Sequence, residues 1–121
     1  MNCPVCKVQL VQAGRTFKCQ TCNGAWVQED VLVAMLEASA SALVELPWRD
    51  NKEDHTRPCA ECGQTMKTVA LGTVALDRCG QHGVWFDAKE LAAVLGQAKK
   101  FRAPTHPHAS LLARFGKLFK S

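Results

Sequence analysis

The amino-acid sequence predicts a small metal-bound α+β fold: two β-hairpin units held by metal-binding knuckles, each followed by an α-helix, with an amphipathic helix at the C-terminal end. Three observations carry this reading. Cysteines come in Cys-x-x-Cys pairs, Cys3-Pro-Val-Cys6, Cys19-Gln-Thr-Cys22 and Cys59-Ala-Glu-Cys62. A fourth pair, Cys79-Gly-Gln-His82, has histidine in its last place. The stretches after the second and fourth pairs also agree, each with a glycine, then a tryptophan (Trp26, Trp85), then a helical pattern. The chain reads as one unit used twice.

The elements follow in order. Residues 1–46 form the first unit with its helix. Pro4 fixes the backbone between the first two ligands. Val8, Leu10 and Thr16-Phe17-Lys18 read as two short strands around a turn at Ala13-Gly14-Arg15. Asn23-Gly24 marks a second turn, and Trp26 reads as a core residue roofing the hairpin. A helix is expected over 29–46, with Glu29-Asp30 at its start and Pro47 beyond its end. Apolar residues surround most of it, so it must be buried on more than one side, by its own domain or by a partner. Residues 47–57 are polar and aperiodic, a linker in which His55 reads as solvated.

Residues 58–101 form the second unit. Its strands, Met66–Val69 and Val74–Asp77, flank a turn at Gly72. Asp87-Ala-Lys-Glu90 reads as a capping box, with Asp87 as N-cap, and the following helix is expected to run to about Phe101. Residues 102–121 form a basic tail. A proline-containing hinge there precedes a helix over 110–120 that places Leu111, Leu112, Phe115, Leu118 and Phe119 on one face.

Seven cysteines in 121 residues suggest either disulfides or metal. The paired spacing selects metal, and His82 stands where an eighth cysteine would complete the set. Cys3, Cys6, Cys19 and Cys22 supply four thiolates around twelve intervening residues. Cys59, Cys62, Cys79 and His82 supply three thiolates and an imidazole around sixteen. Closed tetrahedral sets of this kind are the ligands of structural Zn2+, two ions in all. Iron competes for the first set, since it also accepts four thiolates. Hydrolytic zinc is disfavoured, because neither set leaves a position open for water.

The residues then match a known pattern. Cys3-Pro4, Cys6, Cys19, Cys22, Gly24 and Trp26 in residues 1–36 resemble the transcription-factor-type zinc-ribbon family, which takes its name from general transcription factor IIB. Pro58-Cys59, Cys62, Cys79, Gly83, Trp85, Asp87, Glu90 and Leu91 in residues 58–95 resemble it again. The resemblance implies two tandem zinc ribbons and zinc binding. The chain departs from the pattern at Gln28, where a capping Asp is expected. It departs again at His82, in a copy one residue shorter before its Trp.

Composition bounds the function. The chain is 47% hydrophobic and 21% charged, which argues for a packed domain rather than disorder. Residues 1–88 carry eight Lys/Arg against ten Asp/Glu, a net −2; residues 89–121 carry seven against one, a net +6. An anionic partner is therefore expected at the C-terminal end. Nucleic acid is the leading partner, met by Lys99, Lys100, Arg102, Arg114, Lys117 and Lys120. A protein partner or a homodimer through residues 31–46 and 111–119 is the alternative. An anionic membrane surface is a third reading for the tail. No small-molecule substrate and no enzymatic activity are expected, because no nucleophile–base, paired-carboxylate or phosphate-loop arrangement is present. Nothing at the start of the sequence reads as a signal peptide, and a reducing cytoplasm is the expected location.

Overall fold

A computed structural model describes residues 1–103. The elements are β1 (Val11–Ala13), β2 (Thr16–Lys18), β3 (Ala25–Val27), α1 (Glu29–Ala40), β4 (Arg49–Asp50), β5 (Lys67–Leu71), β6 (Val74–Cys79), β7 (Gly83–Phe86) and α2 (Glu90–Leu95). A 3-10 turn at Ala98–Phe101 follows. All strands belong to one antiparallel sheet in the order β1-β2-β3-β7-β6-β5-β4.

The join between halves is the central feature. Strands β3 and β7 pair with Ala25 opposite Phe86, Trp26 opposite Trp85 and Val27 opposite Val84. The tryptophans that hold equivalent places in the two halves of the sequence thus face each other, as a two-fold relation would require. Gly24 and Gly83 make this approach possible. A Cβ on Gly24 would strike the Trp85 ring, and one on Gly83 would meet the Val27 carbonyl oxygen at 2.6 Å and Trp26 Cζ2 at 3.2 Å. Each tryptophan lies against the glycine of the other half.

Strand alternation divides the sheet into two faces. Ala25, Val27, Val84 and Phe86 point to one side and join Val69, Leu71, Val74 and Leu76. That face is covered by Val31, Leu32, Leu36 and Ala40 of α1, by Val94 of α2 and by Phe101. Trp26 and Trp85 point to the other side, with Leu10, Met66 and buried ligand cysteines around them. Central strands buried on both faces lose the apolar/polar alternation that marks a strand, and for this reason β3 and β7 left no strand signal in the sequence.

Several expectations need correction. The first helix ends at Ala40 rather than Leu46, because Ser41 adopts the left-handed conformation (φ 53°) and its N–H closes on the Glu37 carbonyl. Beyond it the chain is extended: Val44 bridges Arg102, and the Ala103 N–H donates to the Leu43 carbonyl. The segment read as a linker contributes β4, paired with β5, and Trp48 packs half-buried beneath the Arg78 guanidinium, 4.9 Å from the ring centre. The second helix stops at Leu95, before Gly96. Gln97 turns away to bond Thr73, its Nε2 donating to Oγ1 at 2.8 Å and its Oε1 accepting the Thr73 N–H at 3.1 Å. In the first hairpin the strand falls at Val11–Ala13, and Leu10 is buried on the metal side. The hinge and helix expected over 104–120 lie outside the described residues.

Candidate metal centres

Three of the four ligand pairs share one backbone design. After Cys6, Cys22 and Cys62 come Lys7 (φ 63°), Asn23 (φ 62°) and Gly63 (φ 79°), all left-handed. The N–H of each donates to the carbonyl of the pair's first cysteine, at 3.0, 2.9 and 3.0 Å. The N–H of Cys3, Cys19 and Cys59 in turn donates to Val8, Gly24 and Gln64. These bonds fold each pair into a tight loop and aim backbone donors at sulfur. Cys6 N–H donates to Cys3 Sγ at 3.2 Å, Cys22 N–H to Cys19 Sγ at 3.4 Å, and Glu61 N–H to Cys59 Sγ at 3.3 Å. Such donors stabilise thiolate, the form that binds metal.

The fourth pair is built differently. Cys79 ends β6, Gly83 opens β7, and the two are partners in the ladder. His82 therefore sits in a hairpin turn, its N–H on the Cys79 carbonyl at 3.1 Å. The missing residue before Trp85 is the left-handed one that the other pairs possess. The imidazole, longer than a Cys side chain, reaches the site from the tighter turn.

The ligand atoms converge. Those of Cys3, Cys6, Cys19 and Cys22 lie within 4.8 Å of one another, and so do those of Cys59, Cys62, Cys79 and His82. A zinc–sulfur bond of about 2.3 Å in a tetrahedron puts sulfurs ~3.8 Å apart. The Cys3 and Cys22 sulfurs are 3.8 Å apart and those of Cys62 and Cys79 are 3.9 Å apart. His82 Nδ1 lies 3.8 Å from Cys59 Sγ and 3.4 Å from Cys79 Sγ. A disulfide, at about 2.05 Å, is excluded by these separations, and every cysteine is free. The donor sets fit zinc, and two structural zinc ions are the cofactors they support.

In the metal-free chain the thiols hold protons unequally. Desolvation and hydrogen bonds to neighbouring thiols push Cys6 up to about 12. Burial pushes Cys59 up to about 11. Burial also acts upward on Cys19, but the N–H groups of Cys22 and Thr21 outweigh it and hold the thiol at about 7. Cys62, exposed and bonded by the Gln64 N–H, is held below the ordinary thiol value. A metal must displace the protons that remain, so acid competes with zinc at both sites.

One buried group was missed in the sequence. Asp77, 1% exposed, lies on the tryptophan side of the sheet. It accepts from Thr68 Oγ1 at 3.1 Å and Arg57 Nη1 at 3.2 Å, and meets His55 Nδ1 at 2.9 Å. Arg57 also reaches Asp87 at 2.8 Å, and Asp87 accepts from Trp85 Nε1 at 3.1 Å. His55 is thus tied into the fold, not solvated, and residues 53–57 are stitched to the second unit. Asp87 keeps half of the expected capping box: its N–H donates to Glu90 Oε1 at 2.8 Å, while its carboxylate serves Arg57 and Trp85. The signal available was a carboxylate inside the apolar run Val74-Ala-Leu-Asp77. Trp26 has the matching arrangement, its Nε1 donating across the halves to Glu61 Oε2 at 2.9 Å.

With this geometry in place, residues 58–96 match a family model described as a transcription factor zinc-finger, the zinc ribbon of transcription factor IIB type. The match covers the second unit, and the first retains a four-cysteine cluster outside it. No curated protein and no solved structure matches the chain.

The expected nucleic-acid contacts divide. Lys99, Lys100 and Arg102 are exposed at the end of the described chain, with Arg102 Nε donating to the Lys99 carbonyl at 3.2 Å. Arg114, Lys117 and Lys120 lie outside the described residues. Within residues 31–46, read as a possible protein-binding face, Val31, Leu32, Leu36, Ala40 and Val44 lie in the chain's own core, while Val33, Met35 and Leu46 are partly buried against it. Among the described residues, no helix is long and apolar enough to cross a membrane.

Proposed function

We propose that the chain is a non-enzymatic module of two tandem zinc ribbons, each followed by a helix, that binds nucleic acid through its basic C-terminal end. One observation carries the reading. Lys99, Lys100 and Arg102 are exposed together and make no ion pair among the described residues. By contrast, Arg57 before the second unit and Lys67 and Arg78 on its strands are each matched with a carboxylate. Exposed cations clustered this closely, without a carboxylate among them, are free to meet phosphates. Arg114, Lys117 and Lys120 extend the same charge along the sequence. The alternative is a protein partner or a second copy met through residues 31–46 and 111–119; within the former, Val33, Met35 and Leu46 are only partly buried.

The same reading makes both zinc ions structural and places the chain in a reducing compartment, where thiolates keep their metal. Anisotropy titration of labelled single- and double-stranded oligonucleotides tests it. Binding should weaken steeply between about 50 and 200 mM salt, and Lys99→Glu with Lys100→Glu should weaken it for every sequence. Affinity that ignores salt, or survives that double substitution, contradicts the proposal.

A further inference from the structure

Residues 1–28 contain three cations, Lys7, Arg15 and Lys18, and no aspartate or glutamate. All three are exposed, and none is ion-paired among the described residues. Apolar exposure falls in the same place. Met1, Val5, Val8 and Val11 are the large hydrophobic side chains most exposed among the described residues, at 41–44%. The second unit, although it has the same ribbon-like plan, exposes no large hydrophobic side chain to this extent, and the two cations on its strands, Lys67 and Arg78, are matched with carboxylates. Stability alone gives no reason for such a one-sided distribution.

The two properties meet at β1. This strand is one border of the sheet; it pairs with β2 alone, and all three of its residues are exposed. The N-terminal segment already meets the start of this strand, where Asn2 bridges Gln9 and the Leu10 N–H donates to the Met1 carbonyl at 3.0 Å; beyond it, among the described residues, no strand lies along the outer side of Val11–Ala13. Val11 and Ala13 share a face with Lys18, the ladder partner of Val11, and these three line a groove of about 230 Å³ with Gln20, Asn23 and the ligand Cys19. Arg15 stands at the hairpin tip beside them. Backbone groups alternate sides along a strand, so Val11 and Ala13 face β2 while the N–H and carbonyl of Gln12 are left for an extended chain.

We propose that the β1 edge docks an extended acidic peptide segment of a partner protein, added as a strand beside Val11–Ala13. Backbone hydrogen bonds hold the segment, its alternate apolar side chains cover Val11 and Ala13, and its carboxylates meet Arg15 and Lys18. Charge selects the occupant. A second copy of the chain would bring the same three cations to the same edge. Residues 104–121 carry Arg114, Lys117 and Lys120 with no acidic residue, and would also meet repulsion. Nucleic acid has the right charge, but single strands bind through stacking on exposed aromatic rings. The aromatic side chains of this unit are withdrawn: Trp26 is fully buried and Phe17 packs against the metal-side cluster. What the edge displays is aliphatic, which suits a peptide.

The test is an amide-shift titration of the zinc-loaded, isotope-labelled full chain with a capped octapeptide alternating Glu and Val. Shifts should concentrate in Val11–Lys18, and the same peptide with Lys in place of Glu should not bind. The double variant Arg15→Glu, Lys18→Glu, checked for two bound zinc ions, should bind about tenfold more weakly or worse, since both carboxylate contacts become repulsive. Lys52→Glu, remote on the exposed loop before His55, should bind as the parent does. Should the double variant lose its zinc, the shift map and its loss in high salt on the unaltered chain decide the matter. Shifts lying elsewhere, or equal affinity in the charge-reversed variant, would overturn the proposal. An oligo-deoxythymidine that moves the Val11–Lys18 amides and displaces the peptide would also overturn it, and would assign the edge to nucleic acid.

Discussion

At the scale of single residues, fixed positions do more than composition suggests. Gly83 has no room for a side chain, because the Val27 carbonyl oxygen would stand 2.6 Å from its Cβ. Gly83→Ala should therefore force the two halves apart, costing about 1–3 kcal/mol as overpacking does, read as a lowered denaturation midpoint. Asp77 holds Arg57, Thr68 and His55 together from a buried position. Asp77→Ala leaves the buried Thr68 hydroxyl without its acceptor and removes one of the two carboxylates that hold Arg57, and should cost about 1–3 kcal/mol in equilibrium unfolding. His55 supplies a pH dependence. Burial lowers its affinity for a proton, but the Asp77 carboxylate outweighs burial and raises it above the ordinary imidazole value. A raised folded-state value gives stability that is complete below about pH 6.5 and is lost as pH climbs through the raised value. The stability difference between the parent and His55→Gln should accordingly shrink as pH rises from 6.5 toward 9, measured by thermal melts. The eight metal ligands were legible because coordination imposes a spacing that survives in one dimension. The Asp77 network was not, since its members, His55, Arg57, Thr68, Asp77 and Asp87, meet only once the strands have paired.

At the scale of elements, the first helix shows how tertiary packing uses an excess of apolar surface. Leu32 and Leu36 are fully buried against strands drawn largely from the other half of the chain. Leu36→Ala should destabilise by about 2–5 kcal/mol, and a loss under 1 kcal/mol in denaturant titration would contradict that packing. The existence and start of this helix were readable from Glu29-Asp30 and the apolar run behind them. Its end was not, because Ser41 stops it through a left-handed turn that carries no glycine or proline signal. The second helix ends early for a legible reason, Gly96, although Gln97 and Thr73 find each other only in three dimensions. β3 and β7 escaped because they are three and four residues long, buried on both faces, and lie between a knuckle and a helix. The linker over 47–57 was misread because its anchors, β4 against β5 and Arg57 against two carboxylates, are long-range.

At the scale of the whole molecule, two knuckle-bound units become one body by sharing β3 and β7, and a single core on the helical face spans both. The halves do not depend on metal equally. β1 and β2 have little apolar cover beyond Leu10, Thr16 and Trp26, whereas β5, β6 and β7 line the large core. Zinc in isolated fingers contributes on the order of 10 kcal/mol, comparable with the whole stability of a typical domain. Chelation should strip amide-exchange protection from residues 3–20 before residues 67–86; simultaneous loss, or the reverse order, would contradict this asymmetry. Acidification should act in the same direction, because thiols such as Cys6 and Cys59 regain protons readily once the metal is gone. The account rests most heavily on two closed ligand sets holding this sheet, and native mass spectrometry of the chain purified under reducing conditions tests that directly. The expected spectrum is a folded charge distribution at the chain mass plus two zinc ions, with every cysteine outside a disulfide. A folded distribution at the bare chain mass, or at a mass lowered by disulfide formation, would contradict it.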